Sequence, residues 1–188
     1  RFIEEIGDNC ISLDNIKGGY LASRHLLDIG HTQIAYIAGS LFKADGKNRL
    51  TGHQQALADM GVEYTDNLIY EGNFQAKSGT EGIRALVARG AKFTAVACAN
   101  DEMAIAAIHE IKSAGLKVPE DISVVGFDDM RYAEVIDPPL TTIAQPAQEI
   151  GELTMRRLCK AIDGVDIGAG NEIVPHKLIV RKSVAPPK

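Results

Sequence analysis

The 188-residue chain is 45% hydrophobic and 24% charged, enough apolar material to bury the core of one domain or two small ones. A net charge of −5 offers no basic footprint for nucleic acid, and no apolar run approaches the length of a membrane span. Cys10, Cys98 and Cys159 are an odd, widely spaced set without metal-ligand spacing, which fits a reducing cytoplasm better than a disulfide framework. The opening residues RFIEEIGDN carry no initiator Met and no signal-peptide pattern, and read as the middle of a longer protein.

Strand-like and helix-like runs alternate along the chain. Cys10–Leu13 is a short apolar run ending at Asp14-Asn15; Tyr20, Leu21, His25, Leu26 and Ile29 then recur at helical spacing, stopped by Gly30. Ile34–Ala38 reads as a buried strand, Leu50–Met60 as a helix closed by Gly61, Asn67–Tyr70 as a strand, and Ala76–Ala88 as a helix before Gly90. Phe93–Cys98 is the next strand and Asp101–Ala114 the next helix, with Gly115 after it. Ile122–Phe127 and Thr141–Ala144 are strands, Pro146–Ile162 is a helix ended by Gly164, and Ile173-Val174 and Leu178–Val180 are late short strands. Apolar strands of four to six residues between helices imply an α/β fold with a doubly wound parallel sheet covered on both faces.

Most catalytic readings fail. There is no GxGxxG after the first strand, no GxxxxGK[ST] and no G-x-S-x-G elbow; Gly18-Gly19 lies inside a helical pattern and lacks a third glycine. The five histidines (His25, His31, His53, His109, His176) never fall at metal-ligand spacing and read as surface or helix-face residues, so neither metal nor cofactor is expected. The polar groups after the strands are more coherent, because ligands of open α/β sheets sit beyond the strands' carboxyl ends. Arg49 begins the helix after Ile34–Ala38, and Asn100-Asp101 follows Phe93–Cys98, where Asn100 is either an N-cap or a ligand contact. Asp128 and Asp129 follow Ile122–Phe127, and Asp128 is either a turn carboxylate or a contact; Phe74, in the polar loop EGNFQAKSG, is either a plug or a stacking platform. Carboxylate, amide and guanidinium beside an aromatic face suit a sugar or nucleoside, and no nucleophile–base pair accompanies them, so binding is expected rather than turnover.

The runs HLLDIGHTQIAYIAG, NRLTGHQQAL, FTAVACANDEMAIAAI, GLKVPEDISVVGFDD and PPLTTIAQPAQEIGELTMRRL resemble the ligand-sensing core of lac repressor/galactose repressor-type (LacI-type) bacterial transcription regulators, over essentially all of the chain from Cys10 to Val184. The resemblance implies a two-lobed, periplasmic-binding-protein-like fold with the effector in the cleft. Residues 1–15 are expected to be a remnant of the N-terminal lobe and 16–143 the C-terminal lobe; 144–175 would return to the first lobe and 176–188 supply the last strand of the second. It also implies a cytoplasmic homodimer, with operator DNA read by a helix-turn-helix outside this chain and no membrane partner. The implied effector is a sugar or glycoside before a nucleoside or purine. A periplasmic sugar-binding transport protein shares the fold and is the alternative.

Carried over by position, Arg49 in NRLTG matches the family's effector-binding arginine, and Phe74 the aromatic that stacks on the ligand ring. Asn100 in AND and Asp128 in GFDD match hydroxyl-binding residues, and Asp45, in the loop before Arg49, a more variable contact. Gln145 resembles the glutamine at the second crossover between lobes, and Asp14 lies beside the first. The chain departs from the family where relatives often read MALGAL and it reads MAIAAI (Met103–Ile108), with Ala106 in place of a glycine.

Overall fold

A computed structural model describes residues 10–165 and 170–188; residues 1–9 and 166–169 of the expected first-lobe segments lie outside the described part. The chain divides into two compact units, one taking residues up to Asp14 together with Gln145–Lys177, the other Asn15–Ala144 and Leu178–Lys188.

The larger unit is a six-stranded sheet. In chain order it contains α1 (Asn15–Asp28), β2 (Ile34–Ala38), α2 (Ala44–Asp59), β3 (Ile69–Glu71), α3 (Ala76–Ala88), β4 (Ala95–Cys98), α4 (Asp101–Ser113), β5 (Ser123–Asp128), β6 (Thr141–Ala144) and β8 (Lys177–Ile179), with β1 (Ile11–Leu13) and β7 (Glu172–Val174) in the other unit. The spatial order is β3-β2-β4-β5-β6-β8, and every pair from β3 to β6 is parallel. Strands IAYIA and AVAC are buried along their whole length, as continuous apolar strands must be when both faces are covered. Tyr36 stacks on His53 of α2 with ring centroids 4.7 Å apart, while the next residue, Ile37, meets α3 at Gly82. Neighbouring strand residues thus face helices on opposite sides, and the sheet is doubly wound.

Two helices begin earlier than their apolar periodicity indicates. α1 starts at Asn15 and α2 at Ala44, so Arg49 lies inside α2 instead of opening it, and Asp45 sits in the first helical turn, not in a loop. The early buried positions are Gly18 and Gly19 in α1 and Gly46 and Arg49 in α2, residues that carry no hydropathy signal. A Cβ on Gly19 would come within 2.1 Å of the Arg49 carbonyl oxygen, so this glycine is what lets the two helices cross so closely. The expected strand over residues 67–70 is displaced: a 3₁₀ turn at Asp66–Leu68, capped by the Thr65 hydroxyl, precedes β3. The histidines also depart from a surface reading. His53 faces the core, where its Nδ1 lies 2.8 Å from Ser23 Oγ, and His31 and His176 are buried.

After β8 the chain is stitched along β5. Val124 donates to the Ser183 carbonyl (2.8 Å), Ser183 Oγ donates to the Val124 carbonyl (2.6 Å), and the Ala185 amide donates to Ser123 Oγ (3.0 Å). His31 Nε2 reaches the Ala185 carbonyl (2.9 Å), and Lys188 pairs with Asp121.

The smaller unit pairs β1 (Ile11–Leu13) in parallel with β7 (Glu172–Val174) beside α5 (Ala147–Ile162), which starts one residue later than its pattern suggests, with Pro146 at the N-cap. Arg157 ties helix to strand, 3.2 Å from Glu172. Met155, Leu158 and Ile162 on α5 are exposed.

Candidate ligand site at the carboxyl edge of the sheet

From β2 the chain crosses to β3 on one side, then back over to β4 on the other. The crossovers diverge between β2 and β4, the position where open α/β sheets hold ligands. Arg49 spans this point. It is buried, its Nη1 donates to the Ala99 carbonyl just beyond β4 (2.6 Å), and its Nε donates to Asn15 Oδ1 (2.8 Å). The guanidinium carbon lies 3.7 Å from the Phe127 ring centroid and 5.8 Å from that of Phe74. Burial lowers the Arg49 pKa; Asp128, whose Oδ1 is 3.5 Å from Nη1, opposes this most, followed by Tyr36 and Asp45.

Phe74 follows β3 with φ 72, in the left-handed region. Its ring closes on β2's exit, where a Cβ on Gly39 would meet Cζ at 2.0 Å, so only glycine leaves room for it. The Phe74 carbonyl accepts from Asn100 Nδ2 (2.7 Å), and Asn100 Oδ1 accepts from the Met103 amide (3.0 Å), which caps α4. These bonds use one of the carboxamide's two N–H groups and one of its two lone pairs. Asn100 is therefore an N-cap and retains a donor for a ligand.

At the end of β5, Asp128 (φ 122) and Asp129 (φ 55) are both left-handed. Among the described residues they and Phe74 are the non-glycine residues with positive φ, and all three sit on this edge. Strained backbone clusters at functional sites because it persists only where surrounding structure enforces it. Asp129 is held by Arg181 at 2.8 Å. Asp101, fully buried, accepts from the Met130 amide (2.8 Å) and from the Thr142 hydroxyl (2.5 Å). Burial pushes its carboxyl up to about 6; the two hydrogen bonds oppose the shift, and Asp128 and Asp129 add to it.

The larger unit thus brings together Arg49, Phe74, Asn100, Asp128 and Asp45, the last through Asn15, whose Nδ2 donates to Asp45 Oδ1 (3.2 Å) while its Oδ1 accepts from Arg49. Asp14 and Gln145 belong to the smaller unit, each at a point where the chain passes from one unit to the other. Sequence reasoning missed Asn15, Gly39, Asp101, Phe127 and Thr142. The acid of AND and the glycine of GFDD were the available signals: a Cβ on Gly126 would lie 2.2 Å from Asp101 Oδ1. The edge offers guanidinium and amide donors, a carboxylate acceptor and an aromatic ring, a set suited to holding a polyhydroxylated ring. Among the described residues no cluster of His, Cys, Asp and Glu has the geometry to hold a metal ion.

The profile of the periplasmic binding protein-like domain matches residues 23–184. The chain belongs to this family. Its relatives within this family include LacI family transcriptional regulators of known structure, 30–35% identical to it. It is 39% identical over 176 residues to the HTH-type transcriptional regulator DegA of Bacillus subtilis, an alignment covering 94% of this chain and 52% of DegA. Among solved structures, a dimeric lac repressor with a C-terminal deletion superposes with a TM-score of 0.90 at 34% identity, covering 98% of this chain and 67% of that one. A LacI family regulator from Enterococcus faecium with bound ribose gives a TM-score of 0.87 at 30% identity, covering 95% and 66%. The chain spans about half the length of the curated relatives it matches.

Proposed function

We propose that this chain is the effector-sensing region of a LacI-type transcriptional repressor, and that its effector is a small sugar or glycoside. The observation that carries the reading is the grouping of Arg49, Asn100, Asp128 and Phe74 on one sheet edge at the switch point, with strained backbone at two of the four. Arg49 and Asn100 donate to ring hydroxyls, Asp128 accepts from them, and Phe74 stacks on a C–H face. Asp45 sets specificity from α2. A site of buried polar groups rejects an analogue lacking one hydroxyl, because its own donors and acceptors would go unpaired. The bound ribose of the Enterococcus faecium relative supports the same ligand class.

The action proposed is allosteric and not enzymatic: among the described residues no nucleophile–base pair adjoins these four, and the ligand acts through its differential affinity for two arrangements of the protein. Operator DNA is read by a segment outside this chain, in the cytoplasm, by a homodimer. The self-association face is the groove of about 390 Å³ lined by Ile105, Ile108, His109 and Ile136. A dimeric lac repressor among the structural relatives supports a second copy as its occupant.

The test is a thermal-shift screen of hexoses, pentoses, disaccharides, β-glycosides, nucleosides and purines, followed by calorimetry. A ligand at 100 times its dissociation constant adds about 2.7 kcal/mol of stability. A sugar hit lost in Asp128→Ala carries the proposal. A purine-only hit, or a sugar hit indifferent to Asp128, Arg49 and Asn100 substitution, sinks it.

A further inference from the structure

α4 begins with two polar residues, and they do different work. Asn100 caps the helix by accepting from the Met103 amide. Asp101, next to it, takes no part in that cap. Its two oxygens are committed to other elements: Oδ2 to the Met130 amide beyond β5, and Oδ1 to the Thr142 hydroxyl of β6. It is fully buried, and among the described residues no Lys or Arg forms an ion pair with it. A buried carboxylate without a cation is costly, and an apolar residue would fill the space with less penalty. β5 even gives up a side chain to admit it, since Gly126 leaves no room for a Cβ beside Asp101 Oδ1.

The bond to Met130 closes the Asp128-Asp129 turn immediately after its two left-handed residues. That bond opposes relaxation of the turn to ordinary backbone, alongside the Arg181–Asp129 pair, and so bears on where the Asp128 carboxylate lies relative to Arg49. We propose that Asp101 is the positioning residue of the candidate ligand site, a buried latch that holds Met130 and Thr142 together and thereby fixes Asp128 in its ligand-ready pose. This rests on the reading of Asp128 as a ligand contact. The charged and titratable groups facing Asp101 are Asp128 at the end of β5 and Asp129 just after it, with their partners Arg49 and Arg181, and Cys98 from β4.

The experiment compares the whole chain with its Asp101→Ala, Asp101→Asn, Thr142→Val and Asp128→Ala variants by residue-resolved amide exchange and by calorimetry with D-ribose and cellobiose as probes. In Asp101→Ala the Met130 amide should exchange at least about 100-fold faster while Val96 and Val125 stay within threefold, because a lost hydrogen bond opens the turn and not the sheet. Asp101→Asn should stay within tenfold of wild type, since its carboxamide can accept from Met130 and donate to Thr142. The wild-type Met130 resonance should titrate with a midpoint near 6, and the Asn variant should abolish that transition. Equal acceleration at Met130, Val96 and Val125 would reduce Asp101 to general support and overturn the proposal, as would an unchanged Met130 amide. If Asp101→Ala fails to fold, Thr142→Val decides: about tenfold faster Met130 exchange supports the latch, and no change overturns it. For either sugar that binds, affinity should fall at least tenfold in Asp101→Ala and less than threefold in Asp101→Asn. Affinity lost in Asp128→Ala but kept in Asp101→Ala defeats the latch alone. Affinity kept in Asp128→Ala defeats the ligand-site reading, and the exchange data then judge the hold on Met130 separately.

Discussion

Replacing Gly126 by alanine puts a methyl group where the structure has a carboxylate. The new Cβ would lie 2.2 Å from Asp101 Oδ1 and 2.8 Å from Leu140 Cδ2, and both of those residues are fully buried. Overpacking of this kind costs about 1–3 kcal/mol. Displacing Asp101 also breaks its bond with Thr142, and a hydrogen bond to a charged group is worth about 1.5–3 kcal/mol. Removing a glycine from a strand interior returns about 0.5–1 kcal/mol of backbone entropy. The net loss is about 2–5 kcal/mol, which at roughly 2–4 °C per kcal/mol lowers the melting temperature by about 4–20 °C. Circular dichroism melts at pH 7.5 measure it. The double variant Gly126→Ala/Asp101→Ala removes the clashing oxygens, so the two changes should be non-additive by about 1 kcal/mol or more. A loss below about 0.5 kcal/mol in the single variant, or strict additivity in the pair, would refute the steric reasoning.

Asp101 also fixes the sign of one pH effect. Its folded-state carboxyl is raised from 3.8 to about 6, so the contribution is full below 3.8 and is lost as pH rises through 6, by about 3 kcal/mol in total. Urea melts between pH 4 and 8 should show this decline, and Asp101→Asn should flatten it; an identical slope in the variant rules the assignment out. Gly39→Ala expels the Phe74 ring and should destabilise by about 1–3 kcal/mol while weakening any sugar that stacks there, both measurable by thermal shift. An unshifted melting temperature would show that the ring finds another seat at no cost. Asp128→Ala should weaken effector binding by about 2 kcal/mol, as expected for a charged hydrogen-bonding group, and calorimetry giving equal affinities would remove Asp128 from the site.

Much of the fold was legible from short apolar or β-branched runs: Ile34–Ala38 and Thr141–Ala144 appear with the limits their sequences suggest. What escaped were helix starts whose buried face is made of Gly18, Gly19, Gly46 and Arg49, residues chosen for close approach and charge instead of hydropathy. The residues that touch each other at the site were partly readable, since strand ends point to one edge: Arg49, Asn100 and Asp128 could be named without coordinates. Their supports could not. Asn15 bonds Arg49 across 34 positions and Thr142 bonds Asp101 across 41, and no local pattern announces a partner so distant. Phe127 looked like ordinary core, and only the packed structure puts the Arg49 guanidinium over its ring.

The stitching of residues 183–188 along β5 bears on how the larger unit is made. Its sheet is assembled from two stretches of chain separated by the whole excursion through Gln145–Lys177. During synthesis β6 therefore emerges well before β8, and its outer edge waits with unsatisfied backbone groups, the kind of edge that recruits other chains. The His31, Ser123 and Val124 partners of the late segment wait with it. Completion on the ribosome is consequently a late event, and a nascent chain stalled before Ser183 should depend on chaperones far more than its buried core suggests.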